Sequence, residues 1–221
     1  MKYAIFHALM RLKAPFSQSV RKKRMAAFLS RMDIRGGERI IDLGGAPYFW
    51  EDCPVPLDIT IINLPGFNPE TSPDSHHKLT LLVGDACAVP LPDMGFDIAF
   101  SNSVIEHVGD QDKQRAMARE ARRLAPAHWV QTPSIWFPIE AHCNMPFWWF
   151  YPSPLKRHLI ARWRKKLPDW TEMVETTTVL RRGFFQRLFP DSTIWTEWAL
   201  GFPKSYIAYK RPGTDTRGSR T

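Results

Sequence analysis

The sequence predicts an α/β fold, a doubly wound and mostly parallel sheet with helices on both faces, and three observations predict it. Short continuous apolar runs recur along the chain, as expected of strands whose two faces are both covered. Stretches with helical periodicity alternate with those runs. A glycine pair, Gly44 and Gly45, follows the first run, where a strand turns towards a helix. The 221 residues suit one domain with a well-buried core.

Residues 1–35 read as a basic, helical lead-in, with Met25, Phe28, Leu29 and Met32 at helical spacing and Gly36 and Gly37 ending it. Residues 36–210 form the main domain. Its expected strands are Arg39 to Leu43, Asp58 to Leu64, Leu79 to Val83, Phe96 to Ser101 and Trp129 to Thr132. The stretch DQDKQRAMAREARRLAPA between the last two reads as an amphipathic helix with Met117, Ala121 and Leu124 inward, stopping before Pro126. Residues 133–175 interrupt the alternation with prolines and aromatics, and a helix is expected to resume from Thr177 to Phe189. Thr193 to Ala199 and Ser205 to Lys210 read as a closing antiparallel hairpin, and 211–221 as a disordered tail.

Composition narrows the partners. The formal charge is +8, with 30 Lys and Arg against 22 Asp and Glu, which favours anionic partners. The basic groups collect in the lead-in and again at Lys156, Arg157, Arg162, Arg164, Lys165 and Lys166. Three cysteines without a C-x-x-C spacing argue against a disulfide framework or a cysteine zinc site, and a reducing cytoplasm fits them. The opening residues lack a signal-peptide pattern, and no apolar run is long enough to span a bilayer.

The segment RIIDLGGAPYFW places Asp42 at the carboxyl end of the first strand, beside the glycines, where ligands bind in open α/β sheets. Its glycines do not follow the G-x-G-x-x-G spacing of dinucleotide sites. A carboxylate there would repel a pyrophosphate and attract an ammonium or sulfonium, by about 4 kcal/mol at 4 Å and an effective dielectric of 20. Asn63, at the end of the second strand, stands where a ribose partner belongs, and Asp85, after the third, where an adenine amino group could be held. Each of these is also an ordinary turn residue.

The runs DLGGAP, ITIINLP, GDACAVPLPDMGFDIAFSNSVIEHV, REARRLAP and HWVQTPS together resemble class I S-adenosylmethionine-dependent methyltransferases over about residues 36–210. The resemblance implies a Rossmann-like, seven-stranded sheet with a terminal antiparallel strand, and S-adenosyl-L-methionine as cofactor. It carries cofactor contacts onto Asp42, Gly44, Gly45 and Ala46, onto Asn63, onto Asp85 and Ala86, and onto Ser101 and Asn102 at the mouth of the fourth strand. Ala46 and Tyr48 stand where the fuller motif has glycine, and Asn63 replaces a carboxylate. Some members hold a metal ion with an E-x-x-E-H arrangement, but Ser103 replaces the first glutamate here, so no metal is expected.

The acceptor pocket is expected within residues 133–175, with Glu140, His142 and His107 as candidate general bases. The block Phe147, Trp148, Trp149, Phe150 and Tyr151, followed by KRHLIARWRKK, reads in three ways: a cover over an apolar acceptor, an interfacial contact with an anionic membrane at its inner face, or core packing beside a solvated basic face. The expected function is methyl transfer to a small, apolar or lipid-like acceptor. The alternatives are a binding module that kept the fold without turnover, and a nucleic-acid methyltransferase, which lacks support from any N/D-P-P-Y/W or Pro-Cys motif.

Overall fold

A computed structural model describes residues 18–67 and 75–213. The remainder of the basic lead-in, and residues 214–221 of the expected tail, lie outside the described residues. A helix, α1, runs over 18–32, followed by β1 (Arg39–Leu43), the short α2 (Pro47–Trp50), β2 (Asp58–Asn63), β3 (Lys78–Val83) and β4 (Ile98–Asn102). Then come α3 (Gln111–Leu124), β5 (Ala127–Pro133), α4 (Ser153–Arg164), α5 (Pro168–Thr176), α6 (Arg182–Leu188), β6 (Thr193–Ala199) and β7 (Phe202–Lys210).

The seven strands form one sheet in the order β3-β2-β1-β4-β5-β7-β6. The first five pair in parallel, and β7 enters antiparallel between β5 and β6. The order reverses beside β1, which pairs with β2 on one side and β4 on the other, so a crevice opens past the carboxyl ends of β1 and β4. The strands occupy the expected runs because their residues are apolar on both faces: β1 and β4 are buried almost throughout.

Two cores cover the sheet. On one face, Met25, Phe28 and Met32 of α1 pack against Ile40, Ile59, Phe100 and Trp129. Phe28 meets the edges of Trp50, Phe100 and Trp129 at 5.1 to 6.0 Å, so two of the nine tryptophans are absorbed by this core. On the other face, Met117, Ala121 and Leu124 of α3 lie inward as their spacing requires, with Phe185 and Leu188 of α6. Asp110 caps α3, its carboxylate accepting from the backbone N–H groups of Asp112 and Lys113, and the helix ends at Ala125 before Pro126.

Two expectations need correction. The segment after α5 is not one helix from Thr177 to Phe189: Thr177 to Arg181 lies outside any helix, with Thr177 and Arg181 extended, and only Arg182–Leu188 is helical. The run Thr176, Thr177, Thr178, Val179 is β-branched and a poor helix former, and Thr178 donates its N–H to the carbonyl of Glu106 at 2.7 Å, drawing the chain across the top of the domain. Within residues 133–175, α4 and α5 are regular helices that pack on each other through Trp163, Trp170 and Val174.

Candidate active site

Gly44 adopts φ +80°, and a Cβ there would lie 2.5 Å from Val104 Cγ1; its N–H donates to the Ile62 carbonyl at 2.8 Å. A Cβ on Gly45 would lie 1.8 Å from Asp42 Oδ2. Both glycines are therefore required by the turn. Asn63 ties it to β2, its Nδ2 donating to the Gly45 carbonyl at 2.8 Å.

The turn floors a cleft of about 660 Å³ at the crevice past β1 and β4. Gly44, Asn63, Ser103, Val104 and His107 line it from the strand ends, and Asp169, Glu172, Met173 and Thr176 of α5 form the facing wall. Sequence reading did not assign that wall, although positions 169, 172, 173 and 176 carry the i, i+3, i+4, i+7 spacing of one helical face.

Several expected contacts take other places. Asp42 is 1% exposed and lies beneath the turn, where its Oδ2 accepts from Trp50 Nε1 at 2.8 Å and its Oδ1 has no partner among the described residues. Burial pushes its pKa up to about 7 against the opposing Trp50 bond, so Asp42 shapes the turn from below and presents no carboxylate face to a ligand. Ser101 is also buried, its hydroxyl donating to the Leu43 carbonyl at 2.9 Å, so it clamps β4 to β1 instead of facing the crevice. Asn102 accepts from Arg24 of α1 at 2.6 Å. Asp85 accepts from the Cys87 N–H at 2.8 Å and from Lys113 Nζ at 3.2 Å, and these bonds hold it below the usual carboxylate range. Ala86 is in the core, and Ala46 precedes α2 in extended backbone.

The three candidate bases come together. Glu140 accepts the backbone N–H groups of His142 and Cys143, both at 2.6 Å, and its Oε1 lies 2.7 Å from His142 Nδ1. His142 Nε2 lies 2.9 Å from Nε2 of His107, the member that lines the cleft, and His107 Nδ1 is 3.3 Å from Thr177 Oγ1. Burial opposes charge on all of them, but the paired hydrogen bond and charges hold Glu140 below and His142 above their ordinary values. Burial and the neighbouring His142 lower His107 to about 4. Glu106 is fully buried, its Oε2 accepting from Thr132 Oγ1 at 3.1 Å and its Oε1 unpartnered among the described residues, and burial raises it to about 7.

Glu106, His107 and His142 offer three ligand atoms within 4.8 Å of one another, a convergence that the argument from Ser103 did not foresee. The 2.9 Å between the imidazole nitrogens is a hydrogen-bond distance, shorter than the roughly 3.3 Å between two nitrogens held tetrahedrally at about 2.0 Å from one ion. The pair as it stands is an imidazole-to-imidazole hydrogen bond.

The parallel sheet, the antiparallel β7 and the glycine-floored cleft at the strand switch define an α/β fold of the Rossmann-like class. A methyltransferase domain family model matches residues 63–130, from the end of β2 through most of β5. The matched stretch includes Asn63, Ser103, Val104 and His107 of the cleft, so this part of the chain is similar to a methyltransferase domain. No curated protein matches the sequence.

Among solved structures, a protein of Bordetella parapertussis is similar at 14% identity over 86% of this chain and 67% of that one, with a TM-score of 0.55. A protein of Pyrococcus horikoshii is similar at 15% identity over 89% and 90%, with a TM-score of 0.51. A phosphoethanolamine N-methyltransferase of Haemonchus contortus, in complex with phosphomonomethylethanolamine and S-adenosylhomocysteine, is similar at 13% identity over 79% of this chain and 38% of that one, with a TM-score of 0.52. Likeness at these identities speaks to the fold.

Proposed function

We propose that the chain transfers a methyl group to a small acceptor of apolar or lipid-like character, at an oxygen or nitrogen that must lose a proton. The observation that carries this reading is the chain of contacts Glu140, His142, His107, which ends in the cleft. The cleft suits the cofactor: its glycine floor has no room for a side chain, and Asn63 supplies an amide at the strand end that faces a ribose in this class of site. On this reading Gly44, Gly45 and Ala46 approach it with backbone, Asn63 takes the ribose, and Asp85 and Ala86 flank the adenine. Asp42, Ser101 and Asn102 act by holding the turn and the β4 end in place. The acids Asp169 and Glu172 across the cleft favour a cationic ligand.

When bound, S-adenosyl-L-methionine supplies an electrophilic methyl group on a sulfonium. His107 takes the acceptor's proton at Nδ1, which releases its contact with Thr177 Oγ1 as the acceptor enters, while its Nε2–H passes a proton to the unprotonated Nε2 of His142, which Glu140 stabilises as the cation. The division of labour follows from the environments: His107 holds a charge poorly, and His142 holds it well. Reaction in the cytoplasm is in keeping with three free, buried cysteines, and no helix among the described residues is long and apolar enough to cross a membrane.

A methyl-transfer screen over hydroxylated and amino acceptors, apolar metabolites and lipids included, tests the reading. His107→Asn should lower turnover by about 10²-fold or more, with S-adenosylhomocysteine binding unchanged. Full turnover in that variant would remove the relay, and cofactor binding without transfer to any acceptor would support the non-catalytic binding module.

A further inference from the structure

We propose that the face built by the loop after β5 and the outer side of α4 docks on an anionic lipid bilayer. The apolar part is contiguous. Trp136, Phe147 and Phe150 are 56%, 54% and 51% exposed, an unusual state for rings of this size. Trp136 and Phe150 meet at 5.3 Å between centroids with their rings tilted by 41°, the Phe147 N–H donates to the Pro138 carbonyl, and exposed Ile139 lies beside them through its bridge to Pro146. The chain passes from this cluster directly into α4, whose exposed Leu155 extends it.

Basic groups adjoin the cluster. Residues 152–168 contain six Lys or Arg and neither Asp nor Glu. No side chain of α4 is fully buried: Leu159, Ile160 and Trp163 turn towards α5, leaving Leu155, His158 and Arg162 on one exposed stripe at i, i+3 and i+7. Arg164 pairs with Glu175, whereas Arg157, Arg162, Lys165 and Lys166 are exposed and make no ion pair among the described residues. Lys156 lies over Trp148 and Trp149 at 5.2 and 5.4 Å, so cation and aromatic groups already interleave at the seam.

A bilayer surface matches both halves of this face. Aromatic rings partition into the headgroup region, and exposed Lys and Arg gain from anionic lipid. A protein partner would need matching acids and a fitted apolar surface, and a nucleic acid would meet the cations without needing the exposed Phe147 and Ile139. Docking here would place α4 between the lipid surface and α5, one wall of the cleft, because α4 packs on α5 by the side opposite its exposed stripe.

The test is sedimentation of the full chain with vesicles of phosphatidylcholine alone and of phosphatidylcholine with phosphatidylglycerol, at low and high salt. Binding is expected to the anionic vesicles and to weaken with salt. Arg157→Glu with Arg162→Glu should weaken it by about tenfold or more, and Trp136→Ser with Phe150→Ser should weaken it at both salt levels. S-adenosylhomocysteine binding by each variant reports that the domain is folded, and this control is independent of whether vesicles bind. Equal binding to both vesicle types, no binding, or binding that ignores both pairs of substitutions overturns the proposal. Salt-sensitive capture of RNA by the chain, lost in the Arg157 and Arg162 variant while vesicles are ignored, would assign the face to nucleic acid instead.

Discussion

The relay in the cleft makes its predictions at single residues. His142 must be neutral to accept a proton, and its pKa is raised above the ordinary 6.5 by Glu140, so kcat/KM should rise with pH through an acid limb lying above 6.5. Glu140→Gln removes the charge that favours the cation. The acid limb should then move to lower pH, and the rate on its plateau should fall by about 10²-fold. A pH profile unchanged in Glu140→Gln would show that His142 is not the proton's destination. Treatment with a chelator should leave turnover intact, because the imidazole nitrogens are engaged with each other at 2.9 Å; loss of activity restored by added divalent metal would turn Glu106, His107 and His142 into a metal centre. The residues of this constellation were legible one by one, but not their union: His107 and His142 are 35 positions apart, and only the path of the chain after β5 brings them together. Asp42 shows a different limit. Its spacing before the glycines was readable, yet the side of the turn on which its carboxyl lies depends on the missing Cβ of Gly45 and on Trp50, eight positions on.

Among the elements, α1 is held to the sheet by more than its apolar face. Arg24 is buried at 5% exposure and donates to Glu197 of β6 at 2.6 Å, to Asn102 and to Gln131, which also accepts from the Ser103 hydroxyl at 2.7 Å. Replacing Arg24 by Ala leaves Glu197 buried without its cation, with the Ser205 hydroxyl as its remaining donor, and should cost about 3 to 5 kcal/mol in a denaturant titration. The double replacement Arg24→Met, Glu197→Met should recover most of that loss; a single-variant cost under about 1 kcal/mol would mean that α1 is secured by its apolar face alone. The strands were legible because continuous apolar runs have few other uses in a chain of this size. Helices α4 and α5 were hidden because the residues they bury are partly buried and shared between themselves and the aromatic block, so their faces are weaker than the fully buried stripe that marked α3. The helix expected from Thr177 failed at its first residues, where a bond from Thr178 to Glu106 overrides a pattern that was already β-branched.

For the whole molecule, two buried carboxyls link stability to pH. Asp42 and Glu106 are both raised to about 7 by burial, above the 3.8 and 4.5 of free groups. A raised carboxyl favours the folded state while protonated, so this contribution is complete below about pH 4 and is lost as pH rises towards 7. Thermal unfolding should therefore show a stability that falls across that interval from these two groups, and Asp42→Asn with Glu106→Gln should flatten it. A slope unaltered by both substitutions would mean that the carboxyls are ionised where they lie. The same scale holds what sequence could and could not reach about function: the glycine turn and the strand order point to a ligand crevice, whereas the acceptor depends on side chains of α4, α5 and the loop before them, whose helical spacing does not name a ligand.

The most direct test of the account is a calorimetric titration of S-adenosylhomocysteine into the wild-type chain, His142→Gln and Gly45→Val, with NAD as the control ligand. Saturable binding to the first two, none to Gly45→Val and none of NAD is the predicted result, since a side chain at Gly45 would collide with Asp42 and collapse the floor of the cleft. Absence of S-adenosylhomocysteine binding to the folded wild-type chain, or binding that Gly45→Val leaves intact, would contradict the assignment of this cleft as the methyl-transfer site.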